Sequence, residues 1–207
     1  MWLAGLFACV LLIGLILGDW LYFVRLTPDA GRYGCGIARS FDRFSVNSLP
    51  RLQSQFDADG ALTLPHGIAR YFPDLQQIAL RPQYHLFSVS FRTAWPVKGL
   101  IHLQLEDQAV HAICIKRIPW SSAIVTLAWF LVVALGTTGF IIAYAAQGGF
   151  DSLSGVLMGI GILGIGLLVL AFGVVTVMFS YRLENSRLAK VYEELKALVN
   201  DIQECTQ

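Results

Sequence analysis

Three long stretches of this sequence carry almost no charge, and they constrain the fold more than any other feature. Residues 118–150 contain no charged side chain in 33 positions, and residues 152–181 contain none in 30. Residues 1–24 contain a single one, Asp19. Because about 20 apolar residues cross the hydrocarbon core of a bilayer, each stretch is long enough to span it. The sequence therefore predicts an integral membrane protein with three transmembrane helices.

The three spans divide the chain into six parts, and most of the charge lies in the second and the last of them. We expect transmembrane helix 1 at 1–24, a β-rich extramembrane domain at 25–119, transmembrane helix 2 at 120–146, a short outer loop at 147–152, transmembrane helix 3 at 153–181 and an amphipathic C-terminal helix at 182–207. The predicted fold class is an integral membrane α+β protein with a small antiparallel β domain inserted between helices 1 and 2.

Short runs of alternating polarity, separated by turn sequences, indicate five or six strands in the middle domain. We expect strands at Leu52–Phe56, Ala61–Leu64, Gln77–Arg81 and His85–Thr93, and a hairpin of Gly99–Leu105 and Ala109–Arg117. A two-residue turn in that hairpin places Gln104 opposite His111. The sequence Asp57–Gly60 is typical of a turn. Pro28 to Gly36 is expected to be irregular, and Phe41–Leu49 is ambiguous.

Basic residues near the ends of the spans predict the orientation. The N-terminus and the loop 147–152 contain none, whereas ten flank the spans on the side of the middle domain and the C-terminus. These are Arg25, Arg32, Arg39, Arg43, Lys116, Arg117, Arg182, Arg187, Lys190 and Lys196. Because cytoplasmic loops are enriched in Lys and Arg, we expect the middle domain and C-terminus in the cytoplasm and the N-terminus outside.

Glycines in the spans indicate close helix packing. Gly155, Gly159, Gly166 and Gly173 fall within about 40° of one another on a helix, and Gly14 and Gly18 form a similar pair in the first span. Small residues let helix backbones approach closely within lipid. Two interpretations stay open: docking against a partner protein, or packing among the three helices of this chain.

Asp19 is the one ionisable residue within a span. An acid inside a membrane is a functional hypothesis, for example as a pair with a basic residue of a partner. However, Asp19 lies only six residues before Arg25 and beside Trp20. A local interaction at the membrane surface is the alternative, and the sequence favours it.

The C-terminal segment shows an apolar stripe at helical spacing, formed by Leu188, Val191, Leu195, Leu198 and Ile202. One interpretation is that these residues contact another subunit. The other is a helix folded back on the β domain or lying on the membrane surface.

Motifs of catalysis and of ligand binding are missing. The sequence contains no nucleophile elbow, phosphate-binding loop, HExxH motif or dinucleotide fingerprint after a strand. The four histidines, His66, His85, His102 and His111, have no clear third metal ligand beside them. A formal net charge of +1 gives no basic bias toward nucleic acid. We therefore expect no enzyme activity, metal, cofactor or nucleic-acid partner.

These observations favour a non-catalytic accessory, structural or assembly subunit of a larger complex in a bacterial inner membrane. Its partners would be other integral membrane subunits, in a homo- or hetero-oligomer, and the lipid bilayer. The bacterial assignment follows from the compact organisation and from the lack of a eukaryotic targeting signal. The alternatives are a membrane-anchored sensing module whose β domain binds a lipid or small ligand, and a component of a membrane enzyme or transporter with an unfamiliar site.

Overall fold

The structure, a computed structural model, describes residues 2–45, 48–83, 93, 95–106 and 109–204. Within them lie three helices long and apolar enough to cross a membrane. They are α1 (Trp2–Val24), α4 (Trp120–Ala146) and α5 (Leu153–Glu204), and two short helices, α2 (Pro28–Arg32) and α3 (Ser48–Gln53), belong to the middle domain. The prediction of three long apolar helices with an antiparallel sheet between the first and the second is confirmed.

The sheet has six antiparallel strands in the order β1-β6-β5-β4-β3-β2. The strands are β1 (Cys35–Ser45), β2 (Ala61–Leu64), β3 (Gly67–Phe72), β4 (Gln77–Pro82), β5 (Lys98–Glu106) and β6 (Ala109–Ile118). The first and last strands in the chain are therefore neighbours, and β1 and β2 are the edges. Every pairing except β1–β6 and β4–β5 joins strands that a short turn connects, which explains why local patterns found much of this sheet.

Several predicted strands are confirmed. Ala61–Leu64 forms β2, and Gln77–Arg81 lies within β4. The hairpin of β5 and β6 has the expected register, with Gln104 opposite His111 and Glu106 opposite Ala109. The expected turn at Asp57–Gly60 is also present: Gly60 has φ +69°, and an added Cβ would lie 2.6 Å from the Tyr71 carbonyl oxygen. Only glycine suits both conditions.

Other predictions of local structure were wrong. Leu52 and Gln53 belong to α3 and not to a strand. The helix places the Leu52 side chain in the core, where it is 4% exposed. The predictions missed β3 and most of β1. Both faces of β1 mix polar and apolar residues, so it lacks the alternation that identifies a half-buried strand. Of the predicted strand His85–Thr93, all residues but Thr93 lie outside the described residues.

The C-terminal part of α5, residues 182–204, covers one face of the sheet; we call it the tail. Leu188, Val191, Leu195 and Val199 of the tail are at most 4% exposed. They share one core with sheet residues that include Ile78, Leu80, Ile101, Val110 and Cys114. Burying a Leu or Val side chain contributes about 1.5–3 kcal/mol. Hydrophobic packing therefore fastens the tail to the sheet.

Two further features hold the tail on the sheet: a close approach at Gly67 and hydrogen bonds to Asp42. An added Cβ on Gly67 would lie 2.5 Å from the Val191 side chain, so glycine lets the tail reach the sheet. Asp42 accepts hydrogen bonds from Tyr192 at 2.6 Å and from Lys196 at 2.9 Å. Together with burial, the bond to Asp42 raises the pKa of Tyr192 far above its usual value.

The tail residues that the sequence offered as partner contacts are therefore used within the chain. Leu188, Val191 and Leu195 have almost no exposed surface left for a second protein, which corrects that interpretation. Leu198 is partly buried against the same core, and the side chain of Ile202 lies outside the described residues. Of the two interpretations, the helix folded back on the β domain is the one observed.

The second compact unit, residues 123–181, is a hairpin of α4 and the first part of α5. The glycine stripe packs inside this hairpin. Added Cβ atoms would lie 1.8 Å from the Gly149 carbonyl oxygen at Gly155, 2.3 Å from Phe150 at Gly159, 2.6 Å from Thr137 at Gly166 and 2.3 Å from Trp129 at Gly173. Gly14 and Gly18 in α1 instead have no described atom within 4 Å of an added Cβ. The four-glycine stripe is thus a helix-packing surface between two segments of this chain.

We predict that Gly166→Leu destabilises the hairpin by about 1–3 kcal/mol, because the larger side chain overlaps Thr137. Gly164→Leu is the matched control, since nothing described lies within 4 Å of its added Cβ. Unfolding of the purified chain by SDS in mixed micelles, followed by circular dichroism, measures the difference. Equal unfolding midpoints for the two variants would show that the stripe does not pack on α4.

Candidate functional site

A group of polar side chains lies where α1, the sheet and the start of α4 meet. We call this region the junction and define it by Asp19, Tyr33, Lys98 and Ser121. The residues come from four separate elements or connections: α1, the chain after α2, the first residue of β5 and the first turn of α4. All of them belong to one compact unit, residues 1–122 and 182–207.

The C-terminal end of α1 rests on basic side chains from three neighbouring strands. Lys98 of β5 donates to the Phe23 carbonyl oxygen at 3.2 Å, and Arg81 of β4 donates to that of Val24 at 2.7 Å. Arg70 of β3 donates to the Leu26 carbonyl oxygen at 3.1 Å. The last carbonyls of a helix have no partner within the helix and carry partial negative charge. Lys98 and Arg81 satisfy two of these carbonyls and Arg70 satisfies one just after the helix, all from the sheet face opposite the tail.

Lys98 is the buried centre of this arrangement, with 2% exposure. Its Nζ also donates to the Ala30 carbonyl oxygen and lies 4.0 Å from the centre of the Phe23 ring. Two carbonyls and a ring face match the three N–H groups of an ammonium. Burial, together with the charge of Arg117, nevertheless lowers the pKa of Lys98 to about 7, even though the charge of Asp19 acts in the opposite direction.

Asp19 is bound locally on both carboxylate oxygens. The Tyr33 hydroxyl donates to one oxygen, and the Ser121 backbone N–H, at 3.0 Å, and hydroxyl donate to the other. The bond to Asp19 raises the pKa of Tyr33 to about 12, because the hydroxyl must keep its proton to donate it. Beside it, the Trp20 indole donates to the Ser122 hydroxyl at 3.3 Å. Asp19 thus links α1 to the first turn of α4.

The junction holds polar groups but presents no open reaction centre. The Lys98 amine is enclosed, and the Ser121 hydroxyl donates to a carboxylate that Tyr33 also occupies. A nucleophile needs an adjacent base with space for a substrate, and these groups instead bind one another. These hydrogen bonds join the sheet to the end of α1, and α1 to the first turn of α4.

The three histidines that the structure describes lie outside the junction and form no common site. His102 contacts Gln77 at 3.2 Å, His111 lies 3.4 Å from Glu106, and the His66 ring contacts Glu194. Burial lowers the pKa of His102, and the charges of Arg32 and Arg117 add to that effect. Within the described part of the chain, no group of three His, Cys, Asp or Glu residues could hold a metal ion.

A surface cavity of about 260 Å³ lies between the tail and the ends of β3 and β4. It is lined by Pro65, His66, Pro82, Gln83, Arg187 and Lys190. Two of its polar side chains have partners, His66 with Glu194 and Arg187 with Glu184. Ligand pockets usually exceed about 300 Å³ and are mainly apolar, so this cavity does not resemble a site for a small organic molecule.

Sequence reasoning identified Asp19 but missed its partners and Lys98. Tyr33, Lys98 and Ser121 lie 14, 79 and 102 positions from Asp19 along the chain, and no local spacing connects them. The one signal was the position of Lys98 itself, next to Val97 and two residues before Leu100 in a strand of apolar residues. Comparison with protein-family models, curated proteins and solved structures finds no match to this chain.

We predict that the Lys98→Met variant loses a pH dependence of stability that the native chain shows. Between about 7 and its ordinary value of 10.5, the Lys98 amine is protonated in the unfolded chain and neutral in the folded one. The unfolded state then binds more protons, so this group makes stability rise with pH across that range. Thermal unfolding in a non-ionic detergent at pH 7 to 10 measures Tm for both proteins. Lys190→Met, at an exposed position of the tail, should keep the native slope. An unchanged slope in Lys98→Met would contradict the assignment.

Proposed function

We propose that this chain is a non-catalytic accessory subunit of a larger protein complex in a bacterial cytoplasmic membrane. The observation that carries the proposal is that the sheet is fastened to long apolar helices on both faces. The tail of α5 packs on one face, and the end of α1 is bound by Lys98, Arg81 and Arg70 on the other. A domain held in this way serves as a fixed platform beside the bilayer.

Rigid attachment favours an accessory role over the two alternatives. A sensing module needs two arrangements of similar free energy between its domain and its helices. Here each attachment uses buried groups, and breaking one would expose an apolar core or leave carbonyls unsatisfied. A membrane enzyme or transporter needs reactive or ionisable groups along a path, whereas Asp19 and Lys98 are engaged in binding the elements together. The glycine stripe does not support this proposal, since it packs within the hairpin.

We also propose that the middle domain and the C-terminus lie in the cytoplasm. The ten basic residues beside the spans are the support for this orientation. The packing of the tail on the sheet is compatible with it, because both segments must then be on one side of the membrane.

A reporter that is active only in the periplasm tests the orientation. Fused to the C-terminus, it should remain inactive, because the tail follows a span that ends in the cytoplasm. The same reporter inserted in the loop 147–152 should be active and serves as the control. Activity of the C-terminal fusion would reverse the topology.

Purification in a mild detergent tests the accessory role. We expect the tagged chain, expressed at its natural level, to migrate in native electrophoresis with one or more integral membrane proteins in a fixed ratio. Asp19→Leu should reduce the amount of that complex per folded chain, because it weakens the attachment of the platform to α4. Lys190→Gln, an exposed change, should leave the amount unchanged. A chain that migrates alone at every detergent concentration would refute the proposal.

A further inference from the structure

One edge of the sheet carries an apolar and basic surface that the fold itself does not use. Ile37, Arg39, Phe41 and Arg43 of β1 are all exposed, and Phe41 reaches 72% exposure. Arg39, Phe41 and Arg43 pair with Ile115, Ile113 and His111 of β6, which lie on the same sheet face as Lys98. These three residues of β1 therefore lie on that face as well. We call these four residues the β1 stripe. A phenylalanine exposed to this extent between two arginines gains nothing from the folding of this chain.

We propose that the β1 stripe binds an extended acidic segment of a partner protein, which adds to the sheet as a further strand beside β1. This inference rests on the proposed function and specifies the partner surface. In such an added strand, the side chains opposite Arg39, Phe41 and Arg43 point to the same face at every second position. The fitting chemistry is therefore an acid, an apolar residue and an acid at alternate positions.

The backbone of β1 provides the second half of this site. β1 (Cys35–Ser45) is the terminal strand of the sheet and pairs on one side with β6 through ten of its eleven residues, with an irregularity at Ile37. In the part of the chain that the structure describes, no strand pairs with its other side. Exposed sheet edges accept extended peptides through main-chain hydrogen bonds, and side chains on alternate positions select the sequence.

Charge selects the class of partner. Arg39 and Arg43 have no acidic partner among the described residues. A second copy of β1 placed antiparallel and centred on Phe41 would bring Arg39 opposite Arg43 of the other copy. Like charges directly opposite each other destabilise a strand pair, and arginines on an edge strand are a recognised protection against self-association. The surface therefore disfavours a second copy and favours an acidic segment.

Distances along the strands distinguish a protein partner from lipid headgroups as the ligand of the β1 stripe. The end of α1 at Phe23, the end of β6 at Ile118 and the Leu188 side chain near Gly99 all lie at one end of the sheet. The strands run from this end toward Ser45. At about 3.4 Å per residue, Arg39 lies roughly 7 Å beyond the Arg117 row, and Arg43 lies roughly 20 Å beyond it. Headgroups extend about 5–7 Å from the hydrocarbon, and screening limits their charge to about 8 Å. For strands that rise along the bilayer normal, lipid reaches the start of the stripe but not Arg43.

A synthetic peptide tests the inference on the full chain in nanodiscs of zwitterionic lipid. The peptide has seven residues with blocked ends, glutamate at the second and sixth positions, leucine at the fourth and threonine elsewhere. We expect it to bind and to protect the backbone amides of β1 from hydrogen exchange. Arg39→Gln with Arg43→Gln should weaken binding on the order of tenfold, since each exposed ion pair contributes modestly. Phe41→Ser should weaken it as well.

Matched controls exclude a general charge effect. Arg51→Gln with Lys190→Gln removes the same charge from exposed positions elsewhere and should leave the affinity unchanged. A peptide with lysine in place of glutamate should not bind. The inference is overturned if the acidic peptide fails to bind, if it binds the Arg39→Gln, Arg43→Gln variant equally well, or if β1 amides become protected by anionic lipid alone. A co-purifying complex without peptide binding would refute this site while leaving the accessory role intact. Peptide binding by a chain that migrates alone would support this site and refute the accessory role.

Discussion

The contact between Lys98 and the end of α1 is the interaction on which the arrangement of the β domain depends. A helix that ends against an apolar surface leaves carbonyl groups that neither water nor the helix can satisfy. Lys98 supplies donors to Phe23 and Ala30 from beneath the Phe23 ring, and Arg81 and Arg70 supply them to the carbonyls that follow. These bonds allow Leu26 to pack beside Phe72, Ala79 and Leu100 in a second small core.

The two faces of the sheet are covered through different interactions, one mainly apolar and the other mainly polar. The tail covers one face with Leu and Val side chains and adds a peripheral clasp through Asp42. The other face binds α1 through the buried Lys98 and the partly buried Arg81, and Asp19 extends that network to the first turn of α4. The first contact gains free energy from the burial of apolar side chains. The second avoids the free-energy cost of buried carbonyl groups without hydrogen bonds. Among the described residues, the strip of β1 at one edge of the sheet lies outside both attachments.

Much of the sheet could be predicted from local patterns, and the exceptions have a physical cause. The β5–β6 hairpin follows from alternation and a two-residue turn, and its register followed as well. Local patterns did not identify β1, because an edge strand can carry Arg39 and Phe41 on a face where a central strand would require apolar residues throughout. Leu52 shows the reverse error: a buried apolar residue in a short segment is compatible with a strand or a helix, and only its contact with the core decides between them.

The sequence by itself determined the three long apolar helices, the β character of the domain between the first two, and the amphipathic stripe of the tail. Each of these depends on residue types repeated at a fixed period, which a single chain displays without knowledge of its partners. Only the tertiary structure decided what the apolar and polar surfaces contact: the stripe glycines meet Thr137 and Trp129, the tail meets the sheet, and Asp19 meets Tyr33 and Ser121. These contacts join residues far apart in the chain, and periodicity specifies which face of an element is apolar or polar but not which other element that face will meet.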